Sequence, residues 1–452
     1  MKPIVIVGGG LAGLTAAVRL TAAGQPVHLY ETRRQLGGRA GSFLDADSSD
    51  WIDHCQHVGM GCCQRLLALC RDVGEPQFFR RDDTLHFVAP DGRVLPFRAA
   101  PWLPAPLHLA PALARWSHLS WRDRWRLART LHRLTRLRPD PSLDEQPAGP
   151  WLRKQGESAQ SLDYFWSVVL VSALSETLDH LSLAAARQVF VDGFFRSRDA
   201  YHLLVPARPL HQLSESLGRW LTARGAQVSC QTTVESVEGD ARGIRGLVLR
   251  DAAGSTARIA CEQVIVAVPW HRVRTLLSPP LIAALPELDR ITAFPPSAIT
   301  SLHFWWESRW TELNHAVLVD RIGQWLFCPP AAVSGEGERH FYTQVVISAA
   351  HRGATLSPEA LSAAVADELR AIWPAARETP LVRWRFLRQP QACFAPLPGL
   401  AQWRPDQGAA VPGLFWAGDW TRTGWPATME GAIRSGEQAA RACLSSGATS
   451  DA

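Results

Sequence analysis

Apolar and polar positions at the start of the chain predict a strand, a helix and a second strand in quick succession. Residues 4–7 read IVIV, a short apolar run typical of a buried strand, and a glycine-rich turn leads from it into a helix rich in small residues. Residues 27–30 read VHLY and predict the next strand. This alternation is typical of a parallel sheet, so we expect an α/β fold that begins with a Rossmann-like unit.

Two long insertions, which we call excursions, interrupt this pattern. The first begins with proline-rich stretches and with helices rich in tryptophan and arginine. Apolar patterns predict strands at 226–234, 243–251, 263–269, 300–306 and 341–348 and a helix at 358–373. We therefore expect a discontinuous nucleotide-binding domain with an interleaved α+β substrate domain, and a ligand at the join. The expected nucleotide-binding parts are 1–65, 201–272 and 405–445, the substrate-domain parts are 66–200 (helical and membrane-facing) and 273–404, and 446–452 is a disordered tail.

The turn after the first strand has the glycine spacing of a dinucleotide-binding loop. Gly8 permits the tight turn, Gly10 lets the backbone approach a pyrophosphate, and Gly13 lets helix and strand pack closely. The helix that follows offers free N–H groups and a partial positive charge to phosphates. Glu31, at the end of the second strand, has the spacing of an acidic side chain that accepts hydrogen bonds from an unphosphorylated adenosine ribose.

Two further segments carry features of the same ligand site. Residues 37–42 read GGRAGS, in which the glycines let the backbone pass close to a ligand and Arg39 offers a forked cation to a diphosphate. Residues 414–436 predict a strand, a Gly-Asp turn and a helix start near the other end of the chain. Because GxGxxG follows a strand only once, we expect no fixed second nucleotide site. A redox cofactor held here would exchange electrons with the substrate or with an external donor.

Composition narrows the class of protein. The 452 residues are 46% apolar, enough for a large core, and we find no apolar run of about 20 residues that could span a bilayer. The first strand starts at the N-terminus, so we expect no secretory leader. The nine cysteines lack metal-ligand spacing, which predicts reduced thiols in a cytoplasmic protein without bound metal. The net charge of +5 is small and the arginines are scattered, so nucleic acid is not an expected partner.

The order GGGLAG, Glu31, GGRAGSF, VAVP and AGDWTRTGWPATMEGAIRSG resembles the flavin amine oxidase and phytoene desaturase superfamily over nearly the whole chain. Within it, residues 56–58 (QHV) and the last motif are most similar to the hydroxysqualene dehydroxylase family. The resemblance implies a fold of the glutathione-reductase and amine-oxidase type that holds FAD across the sheet. The residues that it places on FAD are Gly8, Gly10, Leu11, Ala12, Gly13, Glu31, Gly38, Arg39, Gln56, Val58, Val234, Gly418, Asp419, Thr428, Met429 and Glu430.

The resemblance also implies where parts of the cofactor lie. The glycine loop and Arg39 would hold the diphosphate, the Val234 backbone would contact adenine, and Asp419 would meet the ribityl hydroxyls. The helix that starts at 428–430 would face the flavin pyrimidine and favour its reduced, anionic form. The chain departs from the pattern at Cys55, where the family usually has glycine, and at Arg422, where an acidic residue is common.

The reaction implied is the reductive dehydroxylation of hydroxysqualene to squalene in hopanoid and squalene biosynthesis. Loss of water would leave an allylic cation, and hydride from the reduced flavin N5 would complete the product. An acid must protonate the leaving hydroxyl. The candidates are His57, His54 and Asp53, because histidine can hold a proton near neutral pH and burial raises the pKa of a carboxyl. Each of the three also has a purely structural interpretation.

An insoluble C30 isoprenoid substrate favours an apolar tunnel and a surface that docks on a membrane. Residues 121–137 predict an amphipathic helix. One face would carry Arg122, Arg126, Arg129, Arg133 and Arg136, and the opposite face Trp121, Trp125, Leu127, Ala128, Leu131 and Leu134. Such a helix fits peripheral docking on the anionic inner face of the cytoplasmic membrane, and it equally fits a surface helix that packs on its own core.

Three other functions remain open. A carotenoid-type desaturase shares the fold and runs the hydride step in the other direction. A flavin amine oxidase commonly uses a lysine-held water and an aromatic cage, but Lys2 and Lys154 are the only lysines and the chain has four tyrosines. The third is a non-catalytic scaffold or lipid carrier stabilised by flavin.

Overall fold

The computed structural model describes residues 2–329, 340–351 and 356–448. Separated stretches of the chain meet in a central sheet of five parallel strands. In sheet order the strands are Gln227–Ser229, Val27–Tyr30, Ile4–Val7, Val264–Val266 and Leu414–Trp416. The register pairs Val7 with Val266 and Val266 with Trp416. The strand ends that lead into the glycine loop and into the Gly-Asp turn therefore lie at one edge of the sheet.

The first strand is apolar throughout because both of its faces are buried. Ile4 and Ile6 share one core with the helices Leu11–Ala22, Gln64–Asp72, His211–Thr222 and Met429–Ala448. Val5 and Val7 share another core with an antiparallel meander and the short helices after it. The meander strands are Thr233–Asp240, Gly243–Arg250 and Thr256–Ala260, and the helices are Trp270–Leu276, Pro279–Ala283 and Leu288–Thr292.

The second domain is built on a seven-stranded sheet, in which one pairing is parallel and the others are antiparallel. In order its strands are Leu381–Phe394, Pro296–Trp306, Phe341–Ile347, Trp325–Phe327, His315–Leu318, Thr84–Val88 and Val94–Arg98. Strands from both excursions therefore join one sheet, which confirms the interleaved α+β domain. Smaller sheets are formed by Ser42–Leu44 with Trp51–Asp53, and by Gly59–Met60, Leu203–Pro206 and Phe79–Asp82.

Helices fill the rest of this domain. They are Ala110–Ala114, Trp121–Arg136, Pro141–Asp144, Ala148–Lys154, Ala159–Ser161, Val168–Leu174, Leu183–Gln188, Pro358–Ile372 and Pro374–Glu378. Two π-helical segments, Leu162–Ser167 and Val189–Phe195, interrupt the helical excursion. Turns of 3-10 helix lie at Leu107–Leu109 and Ala401–Trp403. No helix among the described residues is long and apolar enough to cross a bilayer.

Some boundaries differ from those predicted. The single strand expected at 226–234 is two strands, because Gln231 between them has a left-handed backbone with φ of 54°. Leu66 and Leu69, just after the expected bound at residue 65, share a core with the first strand of the parallel sheet. The last helix continues to Ala448, which includes the first residues of the expected tail, and 449–452 lie outside the described residues.

The amphipathic helix forms at Trp121–Arg136, and its N-terminus is capped by the Ser120 side chain. Its buried side carries the predicted leucines, Leu127, Leu131 and Leu134. The prediction that Trp121, Trp125 and Ala128 share this side is wrong, since Ala128 is exposed and the two tryptophans are 69% and 61% exposed. Asp123 and Thr130 complete the buried side instead. The exposed side therefore mixes indole rings with guanidinium groups.

Candidate active site

A cavity of about 1770 Å³ runs from the glycine loop into the second domain. Sites for a single small molecule usually occupy about 300–1,000 Å³, so this cavity has room for an extended cofactor and a second ligand. It begins at the carboxyl edge of the parallel sheet, where ligands bind in open α/β sheets. Residues of both domains line it.

The glycine loop fits a phosphate group. Gly10 precedes the helix Leu11–Ala22, and no described side chain caps this end, so its N–H groups are available to a ligand. A Cβ atom on Gly10 would meet no described atom within 4 Å. A Cβ atom on Gly13 would lie 2.0 Å from the Gly8 carbonyl oxygen. Gly13 does not line the cavity, and the lack of space for a Cβ atom shows that it packs the helix closely against the strand. Its place on the diphosphate stays a prediction.

Glu31 and the second glycine segment adjoin this loop. The Glu31 carboxylate accepts hydrogen bonds from the backbone N–H groups of Gly9 (2.7 Å) and Arg33 (2.8 Å) and also lines the cavity. The Gly37 N–H donates to the Gly9 carbonyl at 2.8 Å, which holds the two glycine segments side by side. Their backbones therefore form one continuous wall that a diphosphate and a ribose can approach.

An ion pair joins this wall to the last part of the chain. The Arg39 guanidinium lies 2.6 Å from the Asp419 carboxylate, and it also donates to the Ala392 carbonyl at 2.9 Å. The Gly418 N–H donates to Ser435, which fixes the Gly-Asp turn on the final helix. Both Arg39 and Asp419 line the cavity, so segments from the two ends of the sequence form one site.

The start of the helix Met429–Ala448 also lines the cavity. The Glu430 carboxylate does not point to a ligand, because it accepts from the backbone N–H groups of Arg65 and Leu66 and pairs with Arg434. It thereby caps the helix Gln64–Asp72. The first backbone N–H groups of this helix lie beside the cavity and offer donors to a bound group.

Fifteen of the sixteen predicted cofactor residues thus line the cavity. They are Gly8, Gly10, Leu11, Ala12, Glu31, Gly38, Arg39, Gln56, Val58, Val234, Gly418, Asp419, Thr428, Met429 and Glu430.

The two candidate histidines line the cavity, but burial opposes their role as acids. His57 donates from Nδ1 to the Cys55 carbonyl at 2.8 Å, and burial lowers its pKa to about 4. Its ring is therefore neutral near pH 7, and the one proton that it carries is hydrogen-bonded to the Cys55 carbonyl. His54 stacks on Phe43 with ring centroids 5.2 Å apart, and burial, followed by the charge of Arg33, lowers its pKa too.

Asp53 lies outside the lining of the cavity. Its Oδ1 accepts from the Ser42 hydroxyl (2.6 Å) and from the Leu210 N–H (2.9 Å), while burial raises its pKa to about 6. Asp53 therefore ties a strand pair to the start of the helix His211–Thr222. These contacts favour its structural interpretation, and its catalytic role stays a prediction.

The two departures from the family pattern have simple structural outcomes. Cys55 has no left-handed backbone, so the thiol is accommodated without strain and lines the cavity. Arg422 donates to the carbonyls of Gln402 and Arg404 and lies 3.8 Å from Asp406. It thereby binds the segment before the last strand.

Beyond the cofactor end, the cavity becomes an apolar channel. An apolar tunnel was expected, but the sequence did not identify the residues that line it. Its wall includes Leu85, Phe87, Val168, Val169, Ala173, Val189, Phe194, Ile299, Trp325, Phe327 and Val346. The π-helical segment Val189–Phe195 contributes to it, and such segments are frequent at functional sites. The available signal was the run VVLVSAL at 168–174, followed by the alanines at 184–186, which is indistinguishable from ordinary core in sequence.

The glycine loop, the acidic strand end and the late Gly-Asp turn of a Rossmann-like sheet line one cavity. This arrangement defines the class of protein as a flavin-dependent oxidoreductase. Comparison with known proteins gives the same class: residues 11–444 match the family described as flavin containing amine oxidoreductase. The chain belongs to this family, and it is an FAD-dependent enzyme.

Two curated relatives cover almost the whole chain. Zeta-carotene desaturase of Synechocystis sp. is 24% identical, over 98% of this chain and 97% of its own. Hydroxysqualene dehydroxylase of Sinorhizobium fredii is 27% identical, over 98% of this chain and 99% of its own. A solved structure of wild-type putrescine oxidase bound to putrescine has the same fold, with a TM-score of 0.71 at 17% identity over 98% of this chain and 99% of that one. The protein is therefore an oxidoreductase of the carotene desaturase-like superfamily.

Proposed function

We propose that the protein removes the hydroxyl group of hydroxysqualene by reduction and releases squalene. The observation that carries the proposal is the apolar channel that continues from the flavin end of the cavity. A C30 hydrocarbon chain offers almost no polar contacts, so its binding depends on aliphatic and aromatic walls of this kind. The 27% identity with a hydroxysqualene dehydroxylase along the full chain supports the same substrate.

Reduced FAD, when bound, supplies a hydride for the carbon that loses the hydroxyl. The residues of the chain bind and position the reactants. Arg39 and Asp419 join the two halves of the cofactor wall, and the N-terminus of the helix Met429–Ala448 favours an anionic group beside it. The channel wall excludes water, which protects an allylic cation from capture by solvent. Reduction requires an external electron donor.

Amine oxidation has less support. Both lysines of the chain lie in the described residues, and neither lines the cavity. Lys2 pairs with Glu262 at the surface, and Lys154 ends the helix Ala148–Lys154. A lysine-held water beside the flavin therefore cannot form from these residues.

Isoprenoid desaturation is the second candidate, and the 24% identity with a zeta-carotene desaturase favours it. A desaturase needs the same apolar channel, but its oxidised flavin takes a hydride from the substrate. A dehydroxylase needs the reduced flavin. The redox state that reacts therefore separates the two functions.

The test uses anaerobic protein in both redox states. Protein with photoreduced flavin receives hydroxysqualene, and protein with oxidised flavin receives zeta-carotene, while absorbance near 450 nm follows the flavin. We expect reoxidation and squalene in the first mixture and no bleaching in the second. Bleaching by zeta-carotene, with no reaction of hydroxysqualene, would refute the proposal in favour of desaturation. A third mixture, oxidised protein with putrescine, tests amine oxidation, which bleaching there would favour.

A substrate insoluble in water also favours a site of action on the inner face of the cytoplasmic membrane. We place the docking surface on the exposed side of Trp121–Arg136. The Arg122 and Arg129 guanidinium groups lie over the rings of Trp121 and Trp125, 5.6 and 5.3 Å from the ring centroids. Indole rings favour the lipid interface, and each arginine near an anionic surface contributes about 1 kcal/mol.

Flotation with vesicles of phosphatidylglycerol and phosphatidylcholine tests this surface. Replacing both Trp121 and Trp125 by alanine should abolish flotation at low salt. The matched control is Trp403→Ala, since Trp403 is also exposed, at 41%, and also lies beneath an arginine. Equal flotation of the double variant and the control would refute docking through this helix.

A further inference from the structure

A line of hydrogen-bonding side chains leads from the surface to the cavity wall through residues outside the site described above. It consists of Glu176, His351, Ser297 and Ser175. The His351 side chain is 23% exposed, Glu176 and Ser297 are fully buried, and Ser175 lines the cavity directly after the channel helix Val168–Leu174. The line therefore connects solvent with the interior of an apolar channel.

The contacts of His351 define where its proton lies. Its Nε2 is 3.1 Å from a carboxylate oxygen of Glu176, and its Nδ1 is 3.4 Å from the backbone nitrogen of Ala298. A backbone N–H can only donate, so Nδ1 is the acceptor and Nε2 carries the proton. Glu176 is itself held by the Thr177 N–H at 2.8 Å. A fixed carboxylate on Nε2 holds the ring in the orientation that turns Nδ1 toward Ser297.

Two serine hydroxyls continue the line from Nδ1 to the cavity. The Ser297 Oγ lies 3.4 Å from His351 Nδ1 and 3.0 Å from the Ser175 Oγ. The Ala349 N–H donates to Ser175 Oγ at 3.0 Å. The Ser297 hydroxyl lies against both the carbonyl and the hydroxyl oxygen of Ser175. Because the Ser175 hydroxyl accepts from Ala349 and from Ser297, its own proton is left for an acceptor in the cavity that Ser175 lines. Hydrogen bonds in catalytic lines are often this long before substrate binds.

The backbone at this junction is strained on both sides. Ser175 and Ala349 both have left-handed conformations, with φ of 55° and 53°. Such conformations are unfavourable for residues other than glycine, and they persist where the surrounding structure requires them, often at functional sites. Here they bring Ser175 Oγ and the Ala349 N–H together. The Cys393 thiol lies beside both serines and also lines the cavity.

We infer that Glu176, His351, Ser297 and Ser175 form a proton relay that delivers solvent protons to the reacting end of the cavity. The inference rests on the proposed function. In dehydroxylation the C–O bond breaks and the hydroxyl leaves with one proton as water, while a C–H bond forms with the hydride supplied by the reduced cofactor. Each turnover therefore consumes one proton inside a channel that excludes water. His57 cannot supply it, because its single proton is bonded to the Cys55 carbonyl.

Turnover of variants tests the relay. His351→Ala should lower kcat by about 100-fold, the usual contribution of a positioned acid, and leave KM and flavin content unchanged. Added imidazole should restore part of the rate in this variant, because it can occupy the space of the lost ring. Ser297→Ala should show the same loss of kcat, and imidazole should not restore it, because this variant interrupts the relay between the His351 ring and the cavity. His180→Ala is the matched control, since His180 is an exposed histidine in the loop that carries Glu176, and it should retain the wild-type rate.

The relay is overturned if His351→Ala or Ser297→Ala retains the wild-type rate, or if imidazole does not restore the His351→Ala variant. A second measurement needs no substrate. Nitrogen NMR of the wild-type protein should show neutral His351 with its proton on Nε2, and a proton on Nδ1 overturns the relay. Wild-type protein that does not convert hydroxysqualene refutes the proposed function instead, and the NMR result then decides the relay independently.

Discussion

A comparison of Gly10→Ala with Gly13→Ala separates cofactor binding from folding within one loop. Gly10 has φ of −76° and ψ of 174°, a conformation open to any residue, and its Cβ would enter empty cavity. Gly13 has no such space, because its Cβ would overlap the Gly8 carbonyl oxygen at 2.0 Å. We therefore expect Gly10→Ala to fold and lose FAD, and Gly13→Ala to lose stability.

The magnitudes follow from these surroundings. At Gly10, alanine caps the helix less well, which lowers the free energy of unfolding by about 0.5–1 kcal/mol. Alanine also restricts the unfolded chain, which raises the free energy of unfolding by about 0.4–1 kcal/mol. The two effects nearly cancel. A methyl group that displaces one phosphate oxygen from a backbone N–H costs about 1.5–3 kcal/mol, which corresponds to FAD affinity that is about 10- to 100-fold weaker. At Gly13, forcing the helix from the strand costs about 1–3 kcal/mol or more.

Two measurements on flavin-free protein check this pair. Titration with FAD, followed by quenching of flavin fluorescence, gives the Kd, and thermal unfolding without FAD gives the Tm. We expect Gly10→Ala to keep the wild-type Tm with a raised Kd, and Gly13→Ala to have a lowered Tm. A Gly10→Ala protein that binds FAD as tightly as the wild type would refute the assignment of this loop to the diphosphate.

Three further predictions concern the ion pair, a buried carboxyl and the channel. Asp419→Asn removes the charge that faces Arg39, so the flavin-free protein should lose about 1–3 kcal/mol in urea unfolding; an unchanged midpoint would contradict this. Burial raises the pKa of Asp53 from 3.8 to about 6. Between pH 3.8 and about 6 the folded state therefore keeps the Asp53 proton while the unfolded chain has lost it. The stability that this proton contributes is present below pH 3.8 and is lost as the pH rises through 6. Asp53→Asn should therefore gain up to about 3 kcal/mol relative to the wild type between pH 4 and 7, and a difference independent of pH would exclude the shift. Ala173→Phe places a ring in the channel wall and should lower kcat/KM for hydroxysqualene at least about tenfold without changing flavin content, whereas an unchanged kcat/KM would place the substrate elsewhere.

Local sequence determined much of the cofactor domain. The apolar run at 4–7, the glycine spacing and the acidic residue at the second strand end all depend on neighbouring residues, and each is found as predicted. Arg39 and Asp419 were each expected on the cofactor, but their direct contact joins positions 380 residues apart. Such a pairing depends on the sheet order, which no local pattern contains.

Properties that depend on burial were not predictable in the same way. The candidacy of His57 rested on the ordinary pKa of histidine, whereas burial in the folded chain lowers that pKa to about 4. Helical periodicity predicts Trp121 and Trp125 on the same side of the helix as the leucines. The core covers a narrower part of the helix surface, which consists of the leucines together with Asp123 and Thr130. The lining of the channel could not be predicted without the relative positions of the two excursions, because residues of both form its wall.

An anaerobic single turnover tests the proposed chemistry most directly. Protein with fully reduced flavin is mixed with excess hydroxysqualene, and the oxidised flavin and the extracted squalene are both quantified. We expect one squalene for each flavin oxidised. Flavin that stays reduced, with no squalene formed, would contradict the proposed reaction.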